Sequence, residues 1–267
     1  AVYVSKLVSI IQDFRGANVM LKDVDKGFCL AFIGYIKSDF RKKDGTQPKA
    51  STMEHYVNCL NIALSTAVKA DVLRENPFNK IASTDKIKAP ESTREHLSIE
   101  ELKMLIATPC NKAEVKQAYL FSAFCGLRIS DVRALVWRQI ITNGEQAHIE
   151  IVMKKTQTPL YLPLSKEALR WLPERNGKAD TDKVFSLPVT KTLNVALRKW
   201  ASEAGITKHL TFHTARHTFA TMMLTLGADL YTTSKLLGHT DVATTQIYAK
   251  IVDKKKDEAV HLVNGIF

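Results

Sequence analysis

Nothing in the 267-residue chain approaches the roughly 18 unbroken apolar residues of a membrane-spanning helix, although 45% of its residues are hydrophobic. The expectation is a soluble chain of one large or two ordinary domains, with no membrane partner. Cysteine is scarce: Cys29, Cys59, Cys110 and Cys125 form no CxxC pair, and three of them stand in apolar helical surroundings. That spacing argues against a disulfide framework or a zinc site and for a reducing, cytoplasmic setting. No secretory leader is expected. Ala1 already lies inside a helical pattern, from which we expect a longer protein to continue on its N-terminal side. Acids are in deficit, 27 against 38 lysines and arginines, for a net charge of +11 and a pI near 9.4. This balance favours a polyanionic partner such as nucleic acid over an acidic small molecule, although ribosomal and merely soluble proteins reach similar basicity.

The first ninety residues carry no strand signal. Val4, Leu7, Val8, Ile11 and Phe14 recur at helical spacing and stop at Gly16; a second pattern runs from Asp25 through Phe28, Phe32, Ile33 and Ile36 into the polar loop RKKDGTQPKA. Ser51 with Glu54 three residues on predicts a capping box opening a third helix through Tyr56, Val57, Leu60, Leu64 and Ala67. These make a small helical domain, expected over residues 1–88. It ends near NPFNKIASTDKIKAPESTRE, where prolines and charges displace the apolar period, with a linker at 89–96 and a second domain at 97–267. The second domain opens with a capping box at Ser98 and Glu101 and reads as helical through Val115 to Phe124, where Gly126 stops it. Both parts are basic, 14 basic against 10 acidic groups in residues 1–92 and 24 against 17 beyond. A polyanion gripped between them and two solvated surfaces are the two readings of that distribution.

Four stretches of the second domain carry chemistry. CGLRISD sets Arg128 just after a helix-ending glycine and at the start of the next helix, where an anion meets free backbone amides. From His148 the chain alternates with period two: Ile149, Ile151 and Met153 share a face, a polar turn follows at Thr156–Thr158, and Leu160 and Leu162 form a second short strand. The lysines near the tip of this hairpin are either solubilising edge residues or mobile ammonium groups beside a phosphate. In TFHTARHTFATMMLTLG, His213 and Arg216 share a helix face, and Gly227 is the stop. LLGHTDVATTQIYAK closes one helix at Gly238, exposes His239, opens another helix at Thr240 or Asp241 and sets Tyr248 on its second turn or beyond. Beside Ile247 and Ile251 a tyrosine is ordinarily a half-buried packing residue with its hydroxyl at the surface; the alternative is a nucleophile.

Taken in order and spacing, GLRISDVRALVW, MKKTQTPLYLPL, HTARHTFATMML and LLGHTDVATTQIYAK resemble the catalytic domain of the tyrosine recombinase (phage integrase) family over about residues 94–252. The N-terminal segment resembles that family's core-binding domain more loosely, through its size and the NPF before the linker. The resemblance implies a mainly α (α+β) fold, with a helical core-binding domain and a mostly helical catalytic domain bearing a small antiparallel hairpin or sheet. It implies Arg128 and Arg216 as the arginines that clamp the scissile phosphate, Lys155 as the hairpin lysine, His213 and His239 as the active-site histidines and Tyr248 as the nucleophile. Lys154 adjoins Lys155, and register relative to LPL favours the second. Ala215 stands where the family commonly has leucine, and Asp131 matches a frequent acidic position that is either a support for Arg128 or a helix-start charge.

The chemistry explains the residue types. A phosphodiester under attack gathers charge on its non-bridging oxygens, and two guanidiniums offer fixed bidentate donors for it. No metal, cofactor or ATP is required. Tyrosine has an unperturbed pKa of about 10, so attack needs a proton acceptor, for which His213 is the candidate, while Lys155 protonates the departing 5′ oxygen and His239 hydrogen-bonds the phosphate. The 3′-phosphotyrosyl product reverses onto another strand's 5′ hydroxyl, as strand exchange requires. The family further implies double-stranded DNA as partner, a tetramer on two DNA sites, accessory DNA-bending proteins, and a terminal tail docked on a neighbouring protomer or on its own domain. Integration or excision of a phage or mobile element is the expected role; a topoisomerase of the type I tyrosine class and a non-catalytic architectural DNA-binding protein are the alternatives.

Overall fold

A computed structural model of the chain describes residues 2–90, 94–144 and 146–248. The expected docking of the terminal tail and the packing of Ile251 lie outside these residues. The chain divides into two compact units, Ala1–Thr93 and Arg94–Phe267.

In the first unit the periodic apolar residues form α1 (Val2–Arg15), α2 (Lys26–Ser38) and α3 (Ala50–Lys69). Their stripes meet in a core of Ile10, Phe32, Ile33, Ile36, Leu60 and Leu64, and Phe14 sets its ring edge-on to Phe28 and Phe32. Asp25 caps α2 by accepting the Phe28 N–H at 2.7 Å. The capping box expected at Ser51 and Glu54 does not form. The cap falls two residues earlier, at Lys49 directly after Pro48, so Ser51 lies inside the first turn. The polar stretch after α3 stays docked as far as Ile87, within the first domain as expected: Phe78, Ile81 and Ile87 are buried in the same core. Asn76 anchors it, accepting the Phe78 N–H and donating to Asn61 Oδ1 and Ser65 Oγ at 2.8 Å each.

The second unit opens with α4 (Ile99–Ala107), where the capping box at Ser98 and Glu101 is formed as read. The helical run through Phe124 is broken at Thr108–Pro109, because proline cannot continue the ladder, and resumes as α5 (Ala113–Cys125). Helix α5 is apolar nearly all round, and it packs against an equally buried α9 (Phe212–Thr225). Ala118, Ala123, Ala215 and Ala220 are fully buried, small side chains that let helix backbones come close. Alanine in place of the family's leucine at 215 is thus a close-packing residue. Short α6 (Ile129–Ala134), α7 (Lys166–Arg170), α8 (Thr190–Glu203) and α10 (Leu230–Leu236) complete the helices described.

The hairpin is present as β2 (Gln146–Val152) and β3 (Pro159–Leu164), paired antiparallel with Ile149 opposite Leu162 and Ile151 opposite Leu160. A further strand, β1 (Ile140–Asn143), pairs with β2 and escaped the period-two reading because its four residues are half-buried or exposed without alternation. The polar tip is longer than expected, running from Met153, whose N–H donates to Thr158 O, with Gln157 in the left-handed region. No described helix is long and apolar enough to cross a membrane.

Candidate active site

Three chain reversals, at Gly126, in the hairpin and at Gly238, bring the singled-out residues together. Helix α5 ends at Gly126, left-handed at φ +75°, where a Cβ would lie 2.5 Å from the Phe219 ring of α9; only glycine turns the chain so close to that helix. Two residues on, Arg128 stands at the cap of α6, and its Nη1 meets Met153 Sδ at the root of the hairpin, 3.2 Å away. Helix α10 closes through Gly238 at φ +61°, where a Cβ would lie 2.5 Å from Met153 Cε. Met153 therefore touches both the Arg128 guanidinium and the turn that delivers His239.

Arg216, on α9, is 4% exposed, and among the described residues its guanidinium bonds to no carboxylate. It donates to Gly126 O at 2.8 Å, to Leu237 O at 2.7 Å and toward His239 Nε2 at 2.9 Å. Burial, then Arg128, lower it to about 9, against the opposing pull of Tyr248, Asp131 and Cys125, so it keeps its charge at neutral pH. Burial likewise lowers Arg128, opposed by Asp131. Two guanidiniums, Arg128 close enough to lower Arg216, with Asp131 as the carboxylate that acts on both, leave positive charge for an anion to meet.

His239 is fixed at both ends, by Arg216 at Nε2 and by Thr245 Oγ1 at Nδ1, 2.8 Å away. Burial, then Arg216, Arg128 and Lys155, lower it to about 4, so the ring is neutral; with Nε2 taken by the Arg216 donor, its proton sits on Nδ1. His213 is exposed at the rim, and partial loss of hydration against the protein around it, then Arg216, Arg94, Arg128 and Lys155, lowers its pKa. Lys155 is exposed at the hairpin tip, yet its charge reaches both His213 and His239. Lys154 instead lines a polar pocket with Asp131, Arg138 and Gln139, and its backbone N–H donates to Asp131 Oδ1 at 2.8 Å. Asp131, 3% exposed, thus pins the hairpin tip and sits close enough to bias Arg128.

Tyr248 departs from both the helix and the half-buried setting read for it. The chain from Asp241 makes two short 3-10 turns, Val242–Thr244 and Gln246–Tyr248, in place of an α-helix. Tyr248 is 4% exposed, packed with Phe219, Leu224 and Leu237, and its hydroxyl is bonded to Nδ1 of His217. Burial raises it to about 12, opposed by Arg216 and Arg94. His217 and Thr245 were not among the residues singled out from the sequence. A signal for His217 was available: in HTARH it is four residues from His213, and the two rings meet edge-on at 4.5 Å. Thr245 carries none, being one of two threonines in a row. Among the described residues no cluster of His, Cys, Asp and Glu is arranged to hold a metal.

The chain matches known proteins over most of its length. Residues 95–255 match the phage integrase family and residues 3–87 the phage integrase SAM-like domain. The tyrosine recombinase of Pseudothermotoga lettingae is 26% identical over 252 residues, covering 91% of this chain and 84% of its own; tyrosine recombinase XerD of Proteus mirabilis is 32% identical over 206 residues, covering 68% and 63%. Among solved structures, the Tn1549 transposon integrase in complex with transposon right end DNA shares the fold at a TM-score of 0.69 (17% identity, 92% and 87% of the two chains). A lambda integrase dimer bound to a core site does so at 0.66 (20% identity, 92% and 86%). The chain belongs to the phage integrase family, the tyrosine recombinases, which are DNA strand-transferring enzymes.

Proposed function

We propose that this protein is a site-specific DNA recombinase that cleaves and rejoins strands through a 3′-phosphotyrosyl link on Tyr248, integrating or excising a phage or mobile element in the cytoplasm. The observation that carries the reading is the buried, carboxylate-free Arg216 guanidinium, with Arg128 as its cationic neighbour and the Tyr248 hydroxyl within reach of its charge. Arg128 and Arg216 hold the non-bridging oxygens of the scissile phosphate and stabilise the charge that grows there during attack. His213 at the rim adds an imidazole hydrogen bond to the same phosphate, and His239, with both ring nitrogens engaged, fixes the Arg216 guanidinium beside it. Lys155, mobile at the hairpin tip, protonates the departing 5′ oxygen. The phosphotyrosyl diester is close in energy to the bond it replaces, so a second strand's 5′ hydroxyl reverses the step without ATP.

The first unit supplies the core-type DNA-binding surface and the second the chemistry, each contributing basic charge to phosphate contacts. A tetramer on two DNA sites, with accessory bending proteins, accommodates the exchange of strands. The test is a nicked suicide substrate, labelled and denatured with the protein in detergent. Wild type should leave a labelled protein band; Tyr248→Phe should leave none while retaining DNA affinity. A band of wild-type strength from Tyr248→Phe would remove the tyrosine from the mechanism.

A further inference from the structure

Tyr248 does not offer its hydroxyl to His213, where the sequence pattern put the proton acceptor, but to His217. The hydroxyl and the ring are buried together, Tyr248 at 4% and His217 at 7% exposure, so the phenol has exchanged water for a single imidazole nitrogen. Burial, then His213, Arg94, Arg216 and His96, lower His217 to about 3, while Tyr248 stands at about 12. The ring is therefore neutral and the phenol protonated, so the O–H donates to Nδ1 and the ring proton resides on Nε2. His213 lies on the other side of this contact, exposed, its ring edge-on to His217 at 83°.

We propose that His217 receives the Tyr248 proton during attack, an inference that rests on Tyr248 being the nucleophile. The Oη–H bond breaks and its proton passes to Nδ1 of His217 as the Oη electron pair forms the bond to phosphorus. The P–O5′ bond breaks, and the departing oxygen takes a proton from Lys155. Rejoining reverses both transfers. The groups facing His217 are His213 and Arg216 on its own helix, Arg94 and His96 from the segment before α4, and Tyr248. The cations among them disfavour an imidazolium in the free protein, and a phosphodiester held at Arg216 brings the negative charge that offsets them.

The experiment uses the full chain and the nicked substrate in single turnover. His217→Ala should slow cleavage by about two orders of magnitude or more, with partial recovery in added imidazole, and His217→Gln, which keeps a hydrogen-bonding side chain without a base, should stay slow. In the unsubstituted protein, nitrogen-15 spectra should show Nδ1 of His217 unprotonated and Nε2 protonated, with the Nδ1 signal shifting in Tyr248→Phe. Wild-type cleavage by His217→Gln overturns the proposal. So does a protonated Nδ1 in the unsubstituted protein, whatever the folding of the variants. Tyr248→Phe separates the two readings: an adduct from that variant removes the nucleophile itself, whereas loss of its adduct together with a wild-type rate for His217→Gln removes only His217.

Discussion

Arg216 and His239 lie 2.9 Å apart, guanidinium to imidazole Nε2, and the far nitrogen of the same ring is held by Thr245. A cation seldom faces a histidine so closely unless the ring is neutral, and Arg216 is among the groups that keep it so. The contact ties α9, the turn after α10 and the segment that carries Tyr248 into one unit.

Arg216→Lys keeps a charge but loses the planar fork that reaches Gly126 O, Leu237 O and His239 at once. Cleavage should fall by about two to three orders of magnitude, in line with loss of a charge-stabilising donor. DNA affinity, shared among many basic residues, should fall far less. Single-turnover rates set beside gel-shift titrations decide this; an equal loss in both would make Arg216 an ordinary anchor.

Lys155→Ala should slow ordinary DNA severely and spare a substrate with sulfur at the 5′ bridging position, a leaving group that scarcely needs a proton. Lys154→Ala should change neither rate much, since Lys154 lies with Asp131 and Arg138. Equal impairment of Lys155→Ala on both substrates would mean that the lysine binds DNA and protonates nothing.

Gly238→Ala combines a left-handed backbone, worth about 1–2 kcal/mol for a residue with a Cβ, with a collision against Met153. Met153 can swing aside, but only by leaving Arg128. We expect a modest fall in the urea midpoint and a disproportionate loss of cleavage. Unchanged cleavage alongside lowered stability would show that Met153 does not position the arginine.

Acid should destabilise the protein through His217. Its folded pKa of about 3 lies below the unfolded value of 6.5, so the unfolded chain binds the extra proton between them and stability is lost as pH falls below about 6.5. The loss amounts to roughly 2 kcal/mol by pH 5. Urea titrations at pH 7 and 5 should show a shallower pH slope for His217→Gln; parallel slopes would assign the acid sensitivity to other groups.

The parts of this site legible in the sequence are those fixed by local rules. Ser98 and Glu101 form their box because Ser98 is the residue at the cap, whereas Ser51 and Glu54 do not, because the helix starts two residues earlier with Lys49 at its cap. Glycine stops and helical spacing place Arg128, Arg216 and His239 on their elements, and the resemblance of the four motifs to the tyrosine recombinase family implies their roles. The partner of Tyr248 could not be read this way, since the contact spans 31 residues and depends on how the final turns fold over α9. Strand β1 has only four residues and no alternating face, so its pairing with β2 becomes visible only in the sheet.

The carbonyls of Gly126 and Leu237 hold Arg216 without neutralising it. A cation kept in place by uncharged groups makes folding and anion binding a single thermodynamic cycle: any anion that prefers the ordered pocket to the open chain raises the melting temperature by mass action. Sulfate, short phosphodiesters and DNA should therefore act as folding ligands of increasing strength, and heat stability becomes a measure of how well a phosphate fits.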